Sequence, residues 1–262
     1  MKKEDLKNIK LFVLDMDGTI YLSDTLIEGS LDFINYLKEN DINFIFFTNN
    51  SSKTRDFYVK KLNKMGFDVT KDNIMTSADV TMEYLDKYYQ DKKIYIVATD
   101  DVKQSFVDFG INAVEDNPDA VLLTFDTTLT YEKLDKACAF IRNGADFIAT
   151  HLDINCPTKD GFMPDCGSMC ALIEKSTEVS PKYLGKPFKE TSDMILRRTG
   201  FKKEETAFIG DRLYTDIKCA VNNGITGILV LSGESKISDI EKYGVTPSLI
   251  FDKAYDMIKY LK

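Results

Sequence analysis

Three short apolar runs in this chain each stop at a cluster of small polar residues. Residues 10–14 (KLFVL) lead into Asp15-Met16-Asp17-Gly18-Thr19, residues 43–47 (NFIFF) into Thr48-Asn49-Asn50-Ser51-Ser52, and residues 206–209 (TAFI) into Gly210-Asp211-Arg212. Such runs, bounded by polar punctuation, read as strands buried on both faces, the signature of a parallel sheet. Amphipathic segments at 30–38 and 54–65 separate the first runs, and Gly66 stops the second segment. Near the other end the pattern continues with a helix near 216–223 ended by Gly224, a strand at 227–231 (GILVL) and a helix at 237–243. A strand at 249–251 and a last helix from Ala254 complete it. This alternation predicts an α/β fold, a Rossmann-like parallel sheet with helices on both faces.

The middle of the chain forms a second series. Residues 94–98 (IYIVA), 120–124 (AVLLT) and 147–150 (FIAT) read as strands, with a helix at 131–142 between the last two. A loop carrying Pro157, Gly161, Pro164 and Gly167 follows. Residues 77–181 are therefore expected to form a second α/β unit, inserted into a core made of 1–76 and 182–262.

Charge and composition remove several functions. With 34 Lys+Arg against 42 Asp+Glu the net charge is −8, so no general nucleic-acid surface is expected. No apolar run approaches the roughly 18 residues that span a bilayer, and Asp15 and Asp17 end the run after the basic N-terminal stretch too early for a signal peptide. No membrane partner is expected. The five cysteines form no dense framework, which points to a reducing cytoplasm. A single histidine, His151, excludes chemistry that needs two.

The polar clusters carry the chemistry. Two carboxylates two positions apart, just past a strand end, can share one ligand site. Asp15 can ligate a hard cation or attack phosphorus; Asp17 can donate a proton, and its main-chain carbonyl can ligate a metal. A calcium loop starting at Asp15 would need glycine at position 20 and glutamate at 26, where Ile20 and Leu26 stand. A solvated turn is the other plain alternative. Thr48 and Asn49 sit where a helix N-terminus can cradle phosphate, although a plain N-cap accounts for them equally. Asp211 is placed to ligate metal, with Asp216 five residues on orienting it or a bound water; a capping role is the alternative. Lys186, in Gly185-Lys186-Pro187, can hold phosphate oxygens and neutralise charge. No P-loop pattern occurs.

Taken in order, DMDGT, TNNSS, GKP and GDRLYTD resemble the four motifs of the haloacid dehalogenase (HAD) superfamily of phosphohydrolases. Only 33 positions separate Asp15 from Thr48, whereas 138 separate Thr48 from Lys186, so the additional domain lies between the second and third motifs. That arrangement resembles the class IIA branch of NagD-like and 4-nitrophenylphosphatase-like enzymes. The resemblance implies the HAD fold with an inserted α/β cap domain, and a Mg²⁺-dependent phosphatase of small phosphate monoesters. Asp15 is then the nucleophile of an aspartyl-phosphate pathway and Asp17 the general acid/base. Thr48, Asn49 and Lys186 hold the phosphate; Asp15, the Asp17 carbonyl and Asp211 hold the metal, with Asp216 behind them. Residues 149–167 resemble that branch's substrate-facing cap loop, which makes His151 and Asp153 candidates for specificity, although His151 stands where asparagine is expected. Sugar phosphates and nucleoside monophosphates are the expected partners, and caps of this branch can form a homodimer surface.

Three other readings stand beside it. A phosphosugar mutase shares the covalent intermediate but places its cap between the first two motifs, where this chain has no room. A non-catalytic phosphate-ligand binder on the same scaffold would not need a nucleophile. Zinc bound by His151, Cys156, Cys166 and Cys170 is a third, but the C-x9-C-x3-C spacing lacks the close ligand pair of a zinc knuckle, which favours unlinked thiols.

Overall fold

A computed structural model describes residues 2–158 and 161–262. The apolar runs become strands because each is buried on both faces: Leu11–Leu14 is buried at all four positions, and Asn43–Thr48 at all but the first. A six-stranded sheet runs in the order Leu249–Phe251, Thr226–Val230, Thr206–Gly210, Leu11–Leu14, Asn43–Thr48, Ile74–Thr76. The pairings of Leu11–Leu14 with both neighbours are parallel, as are those leading outward to Leu249–Phe251. The chain starts at the central strand, fills one side of the sheet, then returns to fill the other. The strand order therefore reverses between Leu11–Leu14 and Thr206–Gly210, where open α/β sheets bind ligands.

Helix Ser30–Glu39 buries Phe33, Ile34 and Leu37, one face at helical spacing, against this sheet. Phe33 meets Phe12 edge-on at 6.0 Å between centroids, and Phe67 meets Phe46 at 5.8 Å. Each such pair adds about 0.5–1.5 kcal/mol beyond its burial.

The chain divides into two compact units. One contains the chain up to Thr48, Tyr58–Met75 and Lys186–Lys262; the other contains Asn49–Phe57 and Thr76–Gly185. The sequence reading places the divisions at 76/77 and 181/182 and leaves 49–57 in the core, whereas these units divide at 75/76 and 185/186 and Asn49–Phe57 falls in the second. The segment Asn49–Phe57 joins the second unit through specific bonds. Ser51 Oγ lies 2.7 Å from Thr150 Oγ1 and accepts the Phe125 N–H at 2.9 Å, and Thr99 Oγ1 donates to the Ser52 carbonyl at 3.1 Å.

The second unit is built on a parallel sheet in the order Lys182–Tyr183, Asp146–Ala149, Ala120–Leu123, Ile94–Val97. Its apolar core joins Val97, Val121 and Leu123 to Ile141 of helix Tyr131–Arg142 and to Cys166, Cys170 and Ile173 of helix Cys166–Thr177. The stretch read as a loop contains an antiparallel hairpin, Asn155–Thr158 with Gly161–Pro164, too short and too exposed for a periodic signal. The helix expected near 216–223 begins earlier, with a π-helical turn at Leu213–Ile217 that continues into Lys218–Asn222. Among the described residues no helix is long and apolar enough to cross a membrane.

Candidate active site

The two central strands end level with one another. Leu14 pairs with Ile209, and the Asp15 N–H donates to the Ile209 carbonyl at 2.8 Å. Asp15 and Asp211 thus emerge from neighbouring strand ends at the point of reversal. Thr48 ends the strand on the other side of Leu11–Leu14 and is buried.

Lys186 lies at the centre of this edge. Its Nζ is 2.6 Å from Asp15 Oδ1 and 2.6 Å from Asp216 Oδ1, and it donates to the Phe47 carbonyl at 3.3 Å. The ammonium is buried, which alone would lower its pKa, but the charges of Asp15 and Asp216 outweigh burial and drive it up.

Asp211 is gripped from three sides. The Glu234 N–H donates to its Oδ2 at 2.7 Å and Thr19 Oγ1 to its Oδ1 at 3.3 Å, while its carbonyl accepts the Ser235 N–H at 3.1 Å. Gly18, at φ +84°, makes the close approach feasible, because a Cβ there would stand 2.4 Å from Asp211 Oδ2. Asp216 is held by Lys186 on one oxygen and by the Arg212 N–H, at 3.1 Å, on the other. The Arg212 side chain is tied to Glu234 at 3.0 Å.

One oxygen from each of Asp15, Asp211 and Asp216 lies within 4.8 Å of the others. Burial, then the Asp216 charge, raises the Asp211 pKa to about 7. Asp15 also lies well above the usual carboxylate range, chiefly through burial, with Lys186 opposing. Three carboxylates and one ammonium leave excess negative charge in a poorly hydrated place, and the donors are all carboxylate oxygens. That set fits a hard divalent cation. Asp17 is raised mainly by burial. The chief opposing charge is Lys61, whose ammonium sits 3.9 Å from the centroid of the Tyr21 ring, and the Ser23 N–H donates to Asp17 at 3.3 Å.

The structure therefore brings together Asp15, Lys186, Asp211 and Asp216. The Asn49 side chain is directed elsewhere. Its amide lies 3.3 Å from each oxygen of Asp153, while the Asn49 main-chain carbonyl accepts from Ser77 Oγ, all within the second unit. His151 and Asp153 are buried in that unit with Asp165. Cys166 and Cys170 belong to the apolar core, with Cys166 Sγ 3.7 Å from the Leu123 carbonyl; the acidic neighbours of His151 are Asp153 and Asp165.

Sequence reasoning missed Glu234, Ser235, Arg212 and Asp165 as supporting residues. A signal for the first two was available. Ser232-Gly233-Glu234-Ser235 follows the next strand of the same sheet edge, and a Cβ on Gly233 would meet Asp211 Oδ2 at 2.1 Å.

Fold and site together define a class: an α/β protein whose reversing strand ends can hold a hard cation and an anionic ligand on a buried lysine. Similarity makes the assignment specific. Residues 12–112 match the family model described as haloacid dehalogenase-like hydrolase, and residues 183–257 match a second one, described as HAD-hydrolase-like. An acid sugar phosphatase of Staphylococcus epidermidis is 34% identical over 94% of this chain and 95% of its own. The 5'-nucleotidase YutF of Bacillus subtilis is 32% identical over 98% of this chain and 100% of its own. Among solved structures, a 4-nitrophenylphosphatase from Thermotoga maritima superposes with a TM-score of 0.94 at 46% identity, covering 98% of this chain and 99% of its own. NagD from E. coli K-12 superposes at 0.87 with 31% identity, covering 95% and 98%. The chain belongs to the haloacid dehalogenase-like hydrolase family.

Proposed function

We propose that this chain is a Mg²⁺-dependent phosphatase of small phosphate monoesters, with sugar phosphates and nucleoside monophosphates as substrates and 4-nitrophenyl phosphate as an artificial one. The observation that carries the reading is the buried Lys186 ammonium at 2.6 Å from both Asp15 and Asp216, with Asp211 in the same cluster. Relatives named as phosphatases and a nucleotidase, aligned over nearly the full chain, support it.

Asp15 is the nucleophile. A carboxylate oxygen of Asp15 attacks phosphorus, an acyl-phosphate bond forms and the bond to the alcohol oxygen breaks. Protonated Asp17 gives its proton to that leaving oxygen; burial raises its pKa, which favours the protonated form. Asp17, now ionised, takes a proton from water as the water oxygen attacks phosphorus, which releases inorganic phosphate and restores Asp15. Lys186 opposes the effect of burial on Asp15, favouring its ionised form, and offers positive charge to the phosphoryl oxygens. The Thr48 hydroxyl and the Asn49 main-chain N–H bind the remaining oxygens. Asp15, Asp211 and the Asp17 main-chain carbonyl would hold Mg²⁺, with Asp216 orienting the cluster. When bound, Mg²⁺ supplies positive charge that offsets repulsion between the carboxylate and a dianionic ester.

The second unit is the cap domain inserted between the second and third motifs. His151 and Asp153 shape its inner loop and help set substrate choice. The setting is cytoplasmic, with no nucleic-acid or membrane partner and with homodimerisation through the cap. The decisive test is Asp15→Asn. Hydrolysis of 4-nitrophenyl phosphate falls by about 10⁴-fold or more with the circular-dichroism spectrum unchanged. Turnover within tenfold of wild type would remove Asp15 from the chemistry.

A further inference from the structure

His151 is the only histidine in the chain and is fully buried two residues beyond strand Asp146–Ala149. Its Nδ1 lies 3.7 Å from Asp153 Oδ2 and its Nε2 lies 3.5 Å from Asp165 Oδ1. One ligand atom from each of the three residues lies within 4.8 Å of the others, and both carboxylates are as good as excluded from solvent. The carboxylates are also anchored from outside the trio. The Cys166 N–H donates to Asp165 Oδ1 at 2.6 Å, and the Asn49 amide lies 3.3 Å from both oxygens of Asp153. The loop cannot slide, since the Gly167 N–H donates to the Asp153 carbonyl at 2.8 Å and a Cβ on Gly167 would meet the Leu152 carbonyl oxygen at 2.2 Å.

We propose that His151, Asp153 and Asp165 bind a divalent transition-metal ion of the Zn²⁺ or Mn²⁺ class in the second unit, separately from the carboxylate cluster of the first. With a neutral imidazole the three groups carry two negative charges in a dry setting, which a divalent ion cancels. An imidazole donor suits Zn²⁺ or Mn²⁺, whereas Mg²⁺ favours all-oxygen sets such as Asp15, Asp211 and Asp216. Metal–ligand bonds of about 2.0–2.2 Å require the three atoms to draw in from their present spacing, with one ring nitrogen of His151 facing the ion. The outer hydrogen bonds to both carboxylates have the form that fixes ligand orientation at metal centres. Through Asp153, the ion would also hold the Asn49 side chain.

The rival arrangement is an imidazolium paired with both carboxylates and no metal. A tag-free full-length chain separates the two, because its single histidine gives unambiguous imidazole ¹⁵N signals. Under the proposal the purified protein holds about one equivalent of Zn²⁺ or Mn²⁺ per chain after dialysis, and Asp211→Asn keeps it. His151→Asn and Asp165→Asn, each checked for native circular dichroism, bind the ion about 10–100-fold more weakly. Adding Zn²⁺ to the stripped wild-type protein shifts one ring nitrogen and stops the ring from titrating. Imidazole nitrogens that both carry protons and ignore added Zn²⁺ and Mn²⁺ would overturn the proposal, whatever the variants do.

Discussion

Each unit of this protein gathers a trio of side chains able to ligate a metal, Asp15, Asp211 and Asp216 in the first and His151, Asp153 and Asp165 in the second, yet the trios differ in what neutralises them. In the first unit, Asp15 and Asp216 share a cation that the chain itself supplies, the Lys186 ammonium, with Asp211 beside them. In the second, Asp153 and Asp165 flank an imidazole that is cationic only when protonated. The difference teaches what each arrangement can do. The Lys186 ammonium offsets part of the burial that raises the Asp15 pKa, and the excess negative charge left over suits a hard cation. An imidazole between two carboxylates, fixed on all sides, holds a loop in one shape and offers nothing to attack with.

Substitutions sharpen that contrast. The largest effect falls on Lys186. Lys186→Met keeps an unbranched side chain one atom shorter and deletes its charge, so kcat with 4-nitrophenyl phosphate falls by about 10²–10³-fold. Stability falls too, by about 3–5 kcal/mol, because Asp15 and Asp216 lose a buried partner. Steady-state kinetics and thermal unfolding check both; an unchanged kcat would make the lysine structural only.

Next comes Gly18. Gly18→Ala drives a Cβ into Asp211 Oδ2 and strains a positive-φ residue. Mg²⁺ affinity, measured by activity titration and by calorimetry, weakens by about 10–100-fold. Wild-type affinity would mean that Asp211 is not where the ion binds.

A smaller effect concerns pH. Asp211, with its pKa pushed up to about 7, is higher in the folded protein than in the unfolded chain. A raised carboxylate costs stability as pH climbs from the unfolded value toward the folded one, and the cost persists above it. Mg²⁺ binds the ionised form and removes that cost. It therefore raises the unfolding temperature by a few degrees more at pH 8 than at pH 5, and binding releases protons below pH 7. Equal stabilisation at both pH values would contradict this placement of the cation.

The two trios also differ in how far the sequence reveals them. Asp15, Asp17 and Asp211 follow apolar runs whose strand character is unmistakable, and parallel strands must expose their carboxyl ends on one edge. Lys186 has no such strand of the large sheet before it; its place at that edge was legible only through resemblance. Asp165 was not legible at all. It stands beyond the hairpin Asn155–Thr158/Gly161–Pro164, where exposed residues leave no hydrophobic period, and as the residue capping helix Cys166–Thr177 it reads as an ordinary N-cap. The cysteines drew attention instead, although Cys166 and Cys170 fill the helix face packed on the second sheet. The allegiance of Asn49–Phe57 to the second unit was equally hidden, because it depends on contacts of the Ser51 hydroxyl and the Ser52 main-chain carbonyl with residues far along the chain.

The account stands or falls on a covalent bond to Asp15. Asp17→Asn removes the group that activates water, so a radiolabelled phosphate ester quenched in acid should leave label on the protein, in the peptide that contains Asp15 and in a form that hydroxylamine releases. Label on any other residue, or turnover with none retained on the chain, would contradict it.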